Sequence, residues 1–315
     1  MPQPQMYPKT DIVKRYEGNP ILTAADAPVA CRGIYNSGCI KNQKTGTYVM
    51  ICRLETVAMK QFLWPADSDD GIHFNLRKEP IKMPVDNPAF LEYTGGMYYD
   101  PRVTCIEGTY YLVFACHSGH TCRLGLMKSK DLEQFEWMGF ISSVDNRNGV
   151  LFPEKINGRY ARLDRPNTSD GRAYTWVSYS PDLLYWGDSR HVLMTQDEWG
   201  WKKNGPAAVP IKTDKGWLVI YHAVNVMCGA QYVYHLGVAM LDLKDPSKVL
   251  ARAKAPILSP ETPYERVGLA YSVVFSAGAV VEDSGEVKIY YGGADTVQCL
   301  ATARLEDLID ACYNR

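Results

Sequence analysis

The sequence predicts an all-β fold, a five-bladed β-propeller with a short C-terminal helix, on three observations. A glycine turn leading into an aromatic or apolar strand recurs five times, at Gly46, Gly108, Gly158, Gly216 and Gly285, in steps of 62, 50, 58 and 69 residues. A strand ending in Ser-x-Asp, with a turn towards an aromatic residue, follows three of the copies, as Ser68 to Phe74, Ser129 to Phe135 and Ser180 to Trp186. Long amphipathic helices are missing, so an α/β barrel would lack its outer ring. About sixty residues per repeat, in short strands rich in Tyr, Val, Ile and Trp, match one four-stranded blade.

Taken in order, Gly46 to Cys52 and the Ser68 turn make the first repeat, and Gly108 to Phe114 with the Ser129 turn the second. Gly158 to Leu163 and the Ser180 turn make the third. The fourth and fifth, from Gly216 to Tyr221 and Gly285 to Tyr291, are followed by degenerate turns at Leu241 to Ser247 and Ala303 to Leu308. Small-residue strands such as Arg123 to Lys128 and His235 to Met240 precede the turns. Leu305 to Tyr313 is the one persuasive short helix. The repeats fill the chain without linker composition, so residues 1–315 are expected to form a single propeller domain.

Composition narrows the function. The chain has 46% hydrophobic and 22% charged residues and a net charge of -1, without a long block of Lys or Arg. That balance excludes nucleic acid and an anionic membrane as main partners. No apolar run is long enough to cross a bilayer, and Met1 to Thr10 has no apolar signal-peptide core, so a cytoplasmic location is expected. Nine cysteines, an odd number without framework spacing, read as reduced thiols. Cys116, His117, His120 and Cys122 invite a zinc reading, but a closed site takes ligand pairs from two segments and no second pair matches. No metal is expected, and the segment reads as a turn whose histidines face a polar cleft.

Propeller blades converge on an axial funnel, where residues distant in sequence meet, so no compact motif is expected. The leading candidate is Asp100, after Gly95, Gly96, Tyr98 and Tyr99 and before Pro101. Proline restricts the preceding residue to extended backbone, and glycines let backbone approach a ligand. The alternative is a turn whose Asp caps local backbone. Other polar residues out of place in strand-like or turn segments are Asn36, Ser37, Arg53, Arg147, Arg165, Lys203, His222 and Asp295. A cation ending an apolar strand is costly unless paired or solvated, and gathered at a funnel these would form a local anion site. Each also admits a structural role: Arg53 paired with Glu55, Arg165 with Asp164, His222 as a core histidine, Lys203 as a solvated loop lysine beside Lys202.

Seven ordered segments carry a resemblance: Tyr35 to Gly38, Tyr99 to Arg102, Asn146 to Lys155, Arg162 to Pro166, Ser178 to Gly187, Gly216 to His222 and Tyr290 to Thr296. From about Asn19 to Leu308 the chain resembles glycoside hydrolase family 130, the β-mannoside phosphorylases and some β-mannosidases on a five-bladed propeller. The resemblance implies that Asp100 is the proton donor and that Arg147, Arg165, Lys203 and His222 bind phosphate. It assigns Asn36, Ser37, Arg53 and Asp295 to the mannose in the donor subsite.

The implied reaction is inverting phosphorolysis of a β-mannoside, β-1,4-linked to glucose, N-acetylglucosamine or mannose, giving α-mannose 1-phosphate. Asp100 would deliver its proton through a sugar hydroxyl. Inorganic phosphate is then the co-substrate and no cofactor is implied. The cation set suits this chemistry. A hydrolase ordinarily needs two carboxylates, whereas phosphate is already an anionic nucleophile that cations can hold in line, and arginine forks match its oxygens. Tyr99 and the Cys116 to Cys122 segment lean towards the mannosylglucose phosphorylase branch. Two segments depart from the family pattern, Lys203 to Pro210 and Ser272 to Ser276.

Two alternatives stay open. One is a β-mannosidase with Glu154 or Asp164 as the base; the other is a non-catalytic carbohydrate-binding propeller with Trp64, Trp137 and Trp199 as platforms. The acceptor sugar and the oligomeric state are open as well.

Overall fold

The computed structural model describes residues 10–169, 171–195, 199–227 and 230–313. Most of the N-terminal stretch read for a leader, and Cys228, lie outside the described residues. The first strand, β1 (Lys14–Arg15), belongs to the last blade. Blade one is β2 (Cys31–Lys41), β3 (Tyr48–Thr56), β4 (Gln61–Ser68) and β5 (Asn75–Leu76). Helix α1 (Pro88–Thr94) leads into blade two, β6 (Met97–Ile106), β7 (Thr109–Ser118), β8 (Thr121–Ser129) and β9 (Glu136–Phe140). Blade three is β10 (Asn146–Leu151), β11 (Tyr160–Pro166), β12 (Thr175–Ser180) and β13 (Gly187–Leu193). Blade four is β14 (Lys203–Pro206), β15 (Ile211–Thr213), β16 (Gly216–Val226), β17 (Tyr232–Leu241) and β18 (Val249–Arg252). After helix α2 (Pro263–Arg266), blade five is β19 (Val274–Val281), β20 (Glu286–Gly293) and β21 (Val297–Arg304), and helix α3 (Leu305–Tyr313) follows. β1 pairs antiparallel with β21, Lys14 opposite Thr302, and closes the ring.

Both repeated sequence units have a local cause. The five glycines sit at the turn entering the second strand of each blade (β3, β7, β11, β16 and β20), and all five take positive φ, where a side chain is strained. In the Ser-x-Asp turns, Asp70, Asp131 and Asp182 each accept hydrogen bonds at 2.8–3.0 Å from the backbone N–H groups two and three residues on. Asp242 does the same in blade four. At the fifth copy the chain enters α3 instead. Helices α1 and α2 carry no signal in the repeats; α1 starts on an Asn87 cap with Pro88 and ends at Gly95, whose φ is 50°.

Strand alternation explains the core. In β3, Val49 and Ile51 face blade two, while Met50, Cys52 and Leu54 face blade five. Every blade is buried on both faces, and five apolar clusters fill the five gaps between neighbouring blades. Trp64 and Trp199, at 4% and 5% exposure, belong to these clusters, and Trp137 packs against one. The three tryptophans are therefore core residues and not sugar platforms.

Candidate active site

The inner strands of blades one, two and three each break register next to the axis. The breaks fall between Tyr35 and Gly38, Tyr99 and Arg102, and Arg147 and Val150. A bulge leaves residues unpaired and re-aims a side chain. Here the re-aimed residues are Asn36, Asp100 and Asn148, with φ of 52°, 51° and 60°. Asp100 is thus left-handed and not extended: the bulge overrides the preference set by Pro101. Gly95 and Gly96, expected to let backbone approach a ligand, make the turn out of α1 instead.

The bulges open on a cavity of about 420 Å³ that takes side chains from all five blades. Blade one supplies Asn36 and Arg53, blade two Tyr99 and Asp100, and blade three Arg147, Asn148 and Arg165. Tyr232 and Tyr234 come from blade four, and Phe275 and Asp295 from blade five. Of the predicted residues, Ser37, Lys203 and His222 do not reach this lining. Ser37 is fully buried, and its backbone N–H donates to Gln298 Oε1 at 3.1 Å.

Charges on one side of the cavity are paired. Arg53 continues the Val49–Ile51 face of β3 towards blade two, where its Nη1 donates to Asp100 Oδ1 at 2.8 Å. Its guanidinium lies between the rings of Tyr35 and Tyr99, at 4.5 and 4.8 Å. Burial works most strongly against its charge, but Asp100, Tyr35 and Asp295 together hold its pKa above the usual arginine range. Glu55, its alternative partner, bonds Tyr35 and Arg32. Asn36 Nδ2 bridges Asp100 Oδ1 at 3.3 Å and Asp295 Oδ1 at 3.1 Å. Burial pushes the Asp295 carboxyl up, against the pull of Arg53.

The other side holds an excess of positive charge. Arg147 and Arg165 stand directly opposite each other across β10 and β11, a destabilising register for like charges. Arg147 Nη2 donates to Asp145 at 3.1 Å. Arg165, 5% exposed, donates through Nη1 to His222 Nε2 at 3.1 Å. Burial, then Arg165 and Arg102, hold the His222 pKa well below the usual value, so the ring is neutral and its Nε2 is free to accept. Burial, with Arg147 nearby, lowers the pKa of Arg165 itself. The Lys203 ammonium sits 4.2 Å over the Tyr232 ring, its pKa lowered to about 8 by burial and then by Arg165 and Arg147.

Sequence reasoning missed Asn148 and Arg102. Asn148 is 3% exposed, with Oδ1 buried and unpartnered; the Asn-Gly pair was its signal, since Asn tolerates positive φ. Arg102, 1% exposed, donates to the backbone carbonyls of Asp100 at 2.9 Å, Ala207 at 2.7 Å and Pro206 at 3.2 Å. It ties the Asp100 bulge to blade four. The Cys116–Cys122 segment forms the β7–β8 hairpin, and no cluster of three or more metal-binding side chains occurs among the described residues.

A closed propeller whose axial cavity sets two carboxylates, Asp100 and Asp295, across from Arg147 and Arg165 has the polar, residue-by-residue site of a carbohydrate-active enzyme. The family model described as beta-1,4-mannooligosaccharide phosphorylase matches residues 3–314, and the chain belongs to that family, glycoside hydrolase family 130. Beta-1,4-mannooligosaccharide phosphorylase of Ruminococcus albus is 33% identical over 305 residues, covering 95% of this chain and 90% of that protein. 4-O-beta-D-mannosyl-D-glucose phosphorylase of Bacteroides fragilis is 30% identical, covering 96% and 85%. The structure of beta-1,2-mannobiose phosphorylase from Listeria innocua with beta-1,2-mannobiose superposes with a TM-score of 0.83 at 30% identity, covering 96% and 99%. The relatives are thus named for two linkages, beta-1,4 and beta-1,2, and the beta-1,2-mannobiose phosphorylase shares this propeller.

Proposed function

We propose that the protein catalyses inverting phosphorolysis of a β-mannoside, releasing α-mannose 1-phosphate and an acceptor sugar. The observation that carries this reading is the uncompensated positive charge of blades three and four: Arg165 rests on a neutral histidine and Lys203 on a tyrosine ring. An anion there completes the site. Inorganic phosphate fits as co-substrate, held by Arg147 and Arg165, with His222 orienting Arg165 from behind and Lys203 adding positive charge from behind the lining ring of Tyr232. Asn36, Arg53 and Asp295 hold the donor mannose, and Asn148 extends the same bulged series; Ser37 supports the bulge from beneath.

In the step itself, a phosphate oxygen forms the new bond to C1 while the C1–oxygen bond to the acceptor breaks on the opposite face. Asp100 supplies the proton that the departing oxygen needs, relayed through a mannose hydroxyl. No metal or organic cofactor is required, because phosphate brings its own charge and nucleophilicity.

A hydrolase is the second reading, and neither base expected for it lines the cavity. Glu154 is ion-paired with Lys212 at 2.7 Å and does not line the cavity. Asp164 is ion-paired with Arg162 and points into a different groove. The acceptor is proposed as a β-1,4-linked sugar, glucose, N-acetylglucosamine or mannose. Incubation with β-1,4-mannobiose or mannosylglucose, with and without phosphate, tests the reading. Sugar phosphate formed only with phosphate supports it, and free mannose released without phosphate overturns it in favour of hydrolysis.

A further inference from the structure

We infer that the groove between blades two and three is a second saccharide-binding site, separate from the catalytic cavity. It encloses about 480 Å³ and uses the opposite face of the strand that carries Arg165: Arg162, Asp164 and Pro166 line it, alternating with Leu163 and Arg165. Blades two and three meet through the smallest of the apolar clusters, with seven buried residues, where the other clusters have thirteen to twenty. Polar groups take the place of that packing. Arg162 and Asp164, each 2% exposed, form an ion pair there. A buried ion pair adds little stability compared with apolar residues of the same volume, so packing alone does not account for it.

The remaining groups point to the ligand. Asp164 Oδ2 accepts from Arg162 Nε at 2.9 Å and from Asn146 Nδ2 at 3.1 Å. That leaves Asn146 Oδ1 and Trp176 Nε1 on the wall, buried and unpartnered. One is an acceptor and the other a donor, and leaving either unpaired is costly; a hydroxyl satisfies both kinds. Tyr185, 77% exposed, presents a ring at the edge, next to Trp186, which stacks on Arg162 at 4.2 Å. Asp164 neutralises Arg162, and Arg123 on the facing wall is engaged with Ser142 O at 2.9 Å and two aromatic rings. The groove therefore suits a ligand with hydroxyls and apolar faces, which is the chemistry of a saccharide. The choice of a β-mannan as that saccharide rests on the proposed function.

The test is electrophoresis of the intact protein through native gels containing soluble β-1,4-mannan. The parent protein should be retarded. Tyr185→Ala, which removes the exposed ring, and Ser189→Trp, which fills the groove from its exposed edge, should each weaken the affinity derived from retardation at least fivefold. Both should keep kcat/KM for a β-mannosyl disaccharide within twofold, and Asp295→Ala in the catalytic cavity should leave retardation unchanged. An unretarded parent, groove variants that bind like the parent, or retardation lost in Asp295→Ala but kept in both groove variants would overturn the inference. Retardation without turnover of any β-mannoside would uphold the groove and reject the proposed function, so the two can fail separately.

Discussion

Across the cavity, the half built by blades one, two and five ties its charged groups, Arg53, Asp100 and Asp295, to one another, and the half built by blades three and four leaves positive charge in excess. Arg53 and Asp100 form a direct ion pair, and Asn36 joins Asp100 to Asp295. Opposite them, Arg147 has Asp145, but Arg165 and Lys203 face no carboxylate within ion-pair distance among the described residues. The pKa shifts follow the pairing: Arg53 and Arg147, which have carboxylate partners, are raised, whereas Arg165 and Lys203 are lowered. In the proposed reaction, the difference separates a half preorganised around an uncharged sugar from a half that an anion completes.

The largest expected effect breaks the paired half. Asp100→Asn keeps the shape but removes the transferable proton, and should lower kcat/KM by about 10³-fold or more, with thermal unfolding little changed; retained turnover would remove Asp100 as the acid. Next comes the unpaired half. Arg165→Ala should raise the KM for phosphate by about 30-fold or more, since a buried charged contact is worth roughly 2–5 kcal/mol, while the KM for the mannoside moves far less. An equal rise in both constants would mean that the two halves are not separate.

A smaller effect is expected at the seam between them. Arg102→Lys cannot reach three carbonyls at once, and a slightly misplaced Asp100 should lower kcat by about 10-fold with little change in either KM. A change confined to KM would assign Arg102 to packing alone. The mildest test uses pH. Below about 8 Lys203 carries its proton, and above it the unliganded protein loses that charge. The KM for phosphate should therefore rise several-fold between pH 7 and 9.5. In Lys203→Arg, whose guanidinium stays charged throughout, the rise should flatten; an identical profile in both would exclude Lys203 as its origin.

Much of the fold was legible because every blade has a residue able to take positive φ before the second strand, and four of the five add a carboxylate that binds two backbone N–H groups after the third. α3 begins at Leu305 and ends at Tyr313, as its amphipathic pattern indicated. The β1–β21 pairing was not legible, since a two-residue strand has no periodicity to read. The candidate site was legible by residue type and less so by direction. A bulge flips a side chain from one face to the other without altering the pattern of residues. Asn36 therefore reaches the cavity while its neighbour Ser37 is buried, and Asn148 was passed over in favour of Arg147. Arg102 left no mark because its partners are carbonyls, which every residue has. His222 was singled out as a ligand, yet its contact is with Arg165.

The closure of the ring through β1 has a consequence in time. Lys14 pairs with Thr302, 302 − 14 = 288 residues later. At the ribosome, β1 must wait roughly 15–60 s for its partner at ~5–20 residues per second. Asp295, which shares Asn36 with Asp100, is also made within that last stretch. Four blades can assemble as they emerge, but the half of the cavity that holds Asp100 gains its second carboxylate only with the fifth, so the nascent chain carries Asp100 without a completed pocket until blade five has emerged.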